Sequence, residues 1–412
     1  MLSTRDSLRA ALITSTLFLP IAHLKLSVFG LPLYSVEIPV FVALAVYLYG
    51  WQRGISAPFE KVGLRNLLLF AAALFFFGAA LSFALNPFSL TGLGMLKTWF
   101  VVPLLWVWLW LKIDPTEKDL EYALCVWFGA CVLGAGVSLI FFFQGMLTYD
   151  GRLAAWYASP NYLAFFLAPG TLLAYHFYFH TRSTFKPLLA LALILLLIAL
   201  FFTHSYAVWV SAALAGLIFL FLDTAAVSSW RKKGVAMLLL IILFGTFILF
   251  ESGGEKWQSL MTLSPRSSLA SRAMIWEASV RIIADHPLFG IGIGRFQEVY
   301  LSYQRYFPPY LEWAVPQPHS LYLALWLQTG LIGLSGFGLL VAVWLRKMSA
   351  LQNAQSASRR VRKLGALLIA LFTFYLLVGM VDTPFFKTDL AFTFWFILAF
   401  GTGLLRAQKK HP

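Results

Sequence analysis

Residues 267–295 read SSLASRAMIWEASVRIIADHPLFGIGIGR, and their character decides how the rest of the chain is organised. They belong to 251–320, the one long segment with no membrane-spanning apolar run of its own. Ser267 or Ser268 is placed to cap a helix running to about Asp285. Ile275, Ala278 and Ile282 share one face of that helix, at i, i+3 and i+7. Arg272 stands at the edge of this face, and Trp276 lies one turn further along the same side. His286–Pro287 ends the helix, because the residue before a proline is pushed out of the α region. Gly290, Gly292 and Gly294 then make a tight turn. No strand precedes them and no βαβ unit surrounds them, so GIGIG is not a nucleotide-binding loop. The aromatic run that follows, with Arg295 and Arg305 among Phe and Tyr, suits a membrane interface.

Outside this segment the chain is lipid-soluble in character. Of its 412 residues 60% are hydrophobic and only 12% are charged, against about 25% charged in a typical soluble domain. Apolar runs recur near 8–24, 33–50, 66–85, 96–111, 120–143, 161–179, 186–202, 206–222, 234–250, 321–345, 364–381 and 388–405. The expected fold is therefore all-α: a polytopic membrane protein of about 12 transmembrane helices with one long outer loop containing helices. Residues 1–250 hold nine spans, 251–320 the long loop and 321–412 three more spans, as one integrated membrane domain. The first run follows Arg5 and Arg9 like a signal peptide, but no cleavage site stands out after it, so it reads as an uncleaved span.

The net charge of +14 would point to nucleic acid in a soluble protein. Here Lys and Arg act as topology signals, and no nucleic-acid partner is expected. With the N-terminus in the cytoplasm and the chain alternating, 21 of the 31 basic residues fall in cytoplasmic segments. This predicts a multi-pass membrane protein with both termini cytoplasmic and 251–320 on the outer side. The outer exceptions are Lys25, Lys97, Arg152, Lys387 and six residues of the long segment, and something must hold them there against the bias. The basic stretch 346–363 reads as a solvated linker near anionic headgroups. Cys125 and Cys131, six apart on one helix, point away from each other and make neither a disulfide nor a metal site.

Several residues carry candidate chemistry. His319, in PQPHSLYLALW, stands at the wet rim of an apolar helix, where imidazole serves as a general base or simply as an interfacial or capping group. Arg272, with Arg266 nearby, is either a diphosphate clamp or an arginine on lipid headgroups. Arg152 lies beside Asp150 in an outer loop before Pro160–Asn161 and is a candidate substrate contact. Glu37 lies near the outer end of its span, within reach of water, with a functional and a structural reading equally open. His23, His176, His180 and His204 read as structural. No Asp-x-Asp, HExxH, His/Cys cluster or Walker motif appears, so no cofactor, metal or nucleotide is expected at the active face. A transporter would hold substrate near the midplane on broken helices or repeats, whereas the polar interest here is at the rim and no repeat is visible.

Taken together, Arg272-x-x-x-Trp276, HPLFGIG (286–292), HSLYL (319–323) and GLIG (330–333) resemble the O-antigen ligase and polymerase superfamily. Arg152 with Pro160–Asn161 resembles that family's upstream segment. The motif agreement covers about 150–333. The resemblance implies a glycosyltransferase of the bacterial inner membrane, with its active site in a periplasmic loop, that takes a glycan from an undecaprenyl-diphosphate-linked donor and joins it to an acceptor hydroxyl. The acceptor is lipid A core in ligases, another repeat unit in polymerases and protein in some relatives. It implies His319 as the base and Arg272 on the diphosphate. Arg266, Arg152, Arg295 and Trp276 would line the diphosphate and glycan site, and the reaction would be metal-independent and inverting. One departure stands out. The family often has Ser-Arg in an outer connection where this chain has Ser205–Tyr206, which leaves Arg152 or Arg295 to supply that cation. A single long outer loop resembles ligases more than many polymerases.

Overall fold

The computed structural model describes residues 4–28, 30–53, 67–180, 183–223, 234, 245–247, 249–250, 252–262, 267–306 and 315–410. Among these residues eight helices are long and apolar enough to cross a membrane, and Lys186–Phe201 and Tyr206–Leu222 form two shorter apolar helices. The protein is an all-α polytopic membrane protein apart from one antiparallel hairpin, β1 (Lys25–Val28) with β2 (Leu31–Tyr34). In order the helices are α1 (Thr4–Thr14), α2 (Ile38–Gln52), α3 (Leu67–Leu85), α4 (Leu90–Leu96), α5 (Val102–Lys112), α6 (Glu117–Phe143), α7 (Pro160–His180), α8 (Lys186–Phe202) and α9 (Tyr206–Leu222). They continue as α10 (Glu255–Met261), α11 (Ser268–Asp285), α12 (Phe296–Gln304), α13 (Leu321–Asn353), α14 (Arg359–Val378) and α15 (Thr388–Lys410). Most of the expected span 234–250 lies outside the described residues.

Two segments differ from expectation. The first apolar run is an α-helix only to Thr14 and a 3-10 helix from Ser15 to Ile21. There the Ser15 and Thr16 hydroxyls donate back to Leu12 and Ile13 carbonyls, and Pro20 lacks an N–H. The basic stretch 346–363 is not a solvated linker. α13 continues through it to Asn353 and α14 begins at Arg359. Met348 and Leu351 are buried, so an apolar stripe keeps the helix packed beyond the long hydrophobic run.

Hydrogen bonds define two ends of the bundle. At one end Arg5 donates to Ile113 O at 2.9 Å, Arg9 pairs with Asp119 at 3.5 Å, Arg360 pairs with Glu117 and Glu121, and Arg406 donates to Leu111 O at 3.2 Å. The opposite end gathers 152–161, 203–205, 272–276, 319 and 381–389. Between them the core is aromatic: Trp106 and Trp110 of α5 stack at 5.4 Å and pack on Phe400 of α15. α3 and α13 touch backbone to backbone where Gly78 meets Gly333, as small residues in membrane helices allow.

The segment 267–306 has a core of its own. Ser267 caps α11, its side chain accepting from Ala270 N at 3.2 Å. Ile275, Ala278 and Ile282 are buried against Ile291, Phe296, Tyr300 and Leu327. Each large apolar side chain so buried contributes about 1.5–3 kcal/mol before chain entropy is set against it. This small core is stitched to the membrane bundle through a break in α13. Gly330 has φ 67° and ψ −179°, which interrupts the helix. Ile291 N donates to Leu327 O at 2.7 Å and Leu331 N to Leu288 O at 3.0 Å, so the turn 288–291 docks into the gap by its backbone. Gly290 (φ 66°) and Gly330 both adopt the left-handed region, and a Cβ on either would strike a carbonyl oxygen across the joint. Gly330→Ala is expected to cost at least about 1–2 kcal/mol from the left-handed backbone alone. A lowered unfolding temperature of the purified protein in detergent, relative to Gly338→Ala in open space on the same helix, is the measurement.

Glu37 is fully buried rather than within reach of water. Its carboxylate accepts from Lys97 Nζ at 2.6 Å and Thr98 Oγ1 at 2.9 Å. A buried carboxylate holds its charge when it is so paired. The π turn Lys97–Val101 between α4 and α5 supplies both partners.

Candidate functional site

His319 sits between the loop segment and α13, with φ 49°. A left-handed backbone on a non-glycine residue costs on the order of 1–3 kcal/mol and persists only where its surroundings fix it. Here Trp276 Nε1 of α11 donates to His319 O at 3.2 Å. Two residues on, Leu321 N donates to Gly379 O at 2.7 Å, tying the start of α13 to the connection 379–387. His204, beside the same site, is also left-handed at φ 45°.

That connection supplies a carboxylate. His319 Nδ1 lies 3.3 Å from Asp382 Oδ1. The same oxygen accepts from Thr383 N at 2.8 Å, and Asp382 Oδ2 accepts from Asn161 Nδ2 at 2.8 Å. Arg272 reaches across from α11: Nε donates to Val381 O at 2.9 Å, and Nη2 is 3.8 Å from Asp382 Oδ2. Burial alone would raise the pKa of Asp382. The hydrogen bond and charge of His319, the Arg272 guanidinium and the Thr383 N–H outweigh it and hold the carboxyl at about 2. An ionised carboxylate only accepts. On that assignment Nδ1 of His319 carries the hydrogen, and Nε2 of the neutral ring is the basic nitrogen.

Asn161, at the start of α7, joins this pair to a second arginine. Arg152 Nη2 donates to Asn161 Oδ1 at 2.8 Å, and Ser205 Oγ donates to the same oxygen at 3.0 Å. Because guanidinium only donates, the amide oxygen must face Arg152, which leaves its NH2 for Asp382. Arg152 Nε also donates to Thr203 O at 2.8 Å, and Nη1 lies 3.7 Å from Asp150. Burial lowers the pKa of Arg152, and the nearby positive charge of Arg272 lowers it further, against Asp150 and Tyr206. Two guanidinium groups held within each other's field at one end of a bundle favour an arriving anion. His319 is a third exposed and Arg272 about a fifth, so the pair is reachable while Asp382 is not.

Of the residues singled out in the sequence, His319, Arg272, Trp276 and Arg152 come together. Arg295 does not contact them: it pairs with Glu298 at 2.8 Å and donates to Ile291 O. Arg266 lies outside the described residues. Of the two candidates for the cation missing at Ser205–Tyr206, Arg152 is the one that contacts this connection, through Thr203 O. Sequence reasoning passed over Asp382, and it quoted Asn161 and Ser205 without giving them roles. The available signal was a carboxylate and a proline in a short connection between two apolar runs, VDTPFFK.

Fold and cluster together define a polytopic membrane protein with a histidine–carboxylate pair and converging arginines at one end of its bundle. Residues 191–338 match the family model described as O-antigen ligase, which supports the likeness to the O-antigen ligase superfamily. The match supports a membrane glycosyltransferase of the ligase and polymerase type. The match contains His319, Arg272 and Ser205; Arg152, Asn161 and Asp382 lie outside it. No curated protein matches the chain.

Proposed function

We propose that this protein transfers a glycan from undecaprenyl diphosphate to an acceptor hydroxyl, with lipid A core oligosaccharide as the acceptor. The observation that carries the reading is the His319–Asp382 pair beside Arg272 and Arg152. His319 Nε2 removes the proton of the acceptor hydroxyl as its oxygen attacks the anomeric carbon. The bond from that carbon to the diphosphate oxygen breaks, and the electron pair leaves with the diphosphate. Arg272 and Arg152 meet the charge that develops there. Asp382 steadies the imidazolium until its proton is lost to solvent. Attack opposite the leaving group inverts the anomeric configuration.

The proposed setting is the bacterial inner membrane, with twelve crossings, both termini cytoplasmic and the site facing the periplasm. The two ends of the bundle support this count. Arg5, Ile113 and Arg406 share one end, while Thr203 and Asp382 share the other. Among the described residues the helices that carry these positions run from one end to the other, and the density of Lys and Arg at the first end suits the cytoplasm.

One incubation separates ligase from polymerase. Purified protein given only undecaprenyl-diphosphate-linked repeat units should leave them unextended, and added lipid A core should become glycosylated. Chain growth before the core is added identifies a polymerase. Movement of the lipid-linked sugar across vesicles with no new linkage removes the transferase reading.

A further inference from the structure

Lys387 lies five residues beyond Asp382, at the end of the same connection and just before α15. A cation at a helix N-terminus opposes the backbone dipole. Its ammonium stands 3.6 Å from the centre of the Tyr162 ring and 5.2 Å from that of Tyr157. Among the described residues none of the ammonium's N–H donors meets an oxygen, and no carboxylate lies within ion-pair distance of it; only the backbone N–H is bonded, to Phe385 O at 2.7 Å. The other half-buried lysine at this end is different: Lys97 donates to both Glu37 and Pro32 O. Asp389, the nearest acidic group acting on Lys387, is buried and accepts the Tyr157 hydroxyl at 3.0 Å. His23, exposed, is the other titratable group in its field. Burial lowers the Lys387 pKa, with Asp389 pulling the other way, so the charge is held at a cost that ring contacts only partly offset.

Its position ties it to the site. Tyr162 follows Asn161, the residue that joins Arg152 to Asp382, and Asp382 is close enough to act on the Tyr162 hydroxyl electrostatically. Resting on the transferase reading above, we propose that Lys387 is a further substrate-binding residue that takes an oxyanion of the substrate. That oxyanion is either a phosphate of the polyprenyl carrier or an acidic substituent of its sugar. Lysine suits this as a compact point charge with three rotatable donors, beside arginines that are partly committed to backbone carbonyls.

The test uses full-length protein in detergent, with undecaprenyl diphosphate as the probe and tryptophan fluorescence as the readout. Lys387→Met should weaken binding by about tenfold or more, the loss of one charge-assisted contact. Lys387→Arg should restore most of it, which a purely structural role would not produce. If undecaprenyl diphosphate binds Lys387→Met normally, the sugar is tried next. Selective loss of binding for a carrier-linked glycan bearing a uronic acid, and not for a neutral one, assigns the oxyanion to the sugar. Unchanged affinity for all three ligands overturns the proposal. Should Lys387→Met not fold, acylation of Lys387 in the wild type decides: protection by either anionic ligand supports the contact, and equal labelling with and without them refutes it. Failure of the wild type to bind any carrier diphosphate would instead count against the transferase reading itself.

Discussion

His319→Ala is expected to lower glycan transfer by about 10²–10⁴-fold, the usual contribution of a positioned general base, while the protein inserts and folds normally. The ring makes few packing contacts that its loss would disturb: it is a third exposed, and Trp276 holds the backbone carbonyl rather than the imidazole. Binding of undecaprenyl diphosphate should change little, because that affinity rests on the cations. The partner residue gives a sharper check. Asp382→Asn should be strongly impaired, since a neutral amide no longer holds Nδ1 as the protonated nitrogen. The double variant should be barely worse than His319→Ala alone, as expected for groups that act as one unit. Rates are read with lipid-linked glycan and acceptor under single-turnover conditions. Transfer by folded His319→Ala at the wild-type rate would falsify the assignment of the base.

Arg272→Ala is expected to cost about 10²–10³-fold in the transfer rate, the scale for removing a donor from a developing oxyanion. This variant also loses a structural bond, because Nε holds Val381 O beside Asp382. Arg272→Lys separates the two roles. Lysine keeps the charge and loses the forked geometry, so it should recover part of the rate and part of the diphosphate affinity. Recovery of neither, with an intact fold, would reduce Arg272 to a brace for the connection 379–387. Arg152 should behave more mildly, being shared among Asn161, Thr203 and Asp150.

Helix α11 was legible because its signals are local: a serine cap, an apolar face at helical spacing and a His–Pro stop. Ser267 and Ile282 sit as that reasoning placed them. His319 was visible as a titratable group at the mouth of an apolar run. Asp382 and Asn161 were not, because nothing local marks them. Their roles arise from hydrogen bonds between residues 221 apart in sequence. The helical geometry of the first apolar run and the basic stretch 346–363 were misread for a related reason. Average hydropathy ignores both the Ser15 and Thr16 back-bonds that tighten a helix and the single stripe of Met348 and Leu351 that prolongs one.

The connection between the last two helices has a consequence for biogenesis. Asp382 emerges from the ribosome after Arg152, Asn161 and His319. The imidazole therefore gains its carboxylate only when the hairpin of α14 and α15 is inserted. On the proposed reading, a chain without that hairpin holds a histidine lacking its carboxylate and should transfer glycan as poorly as Asp382→Asn.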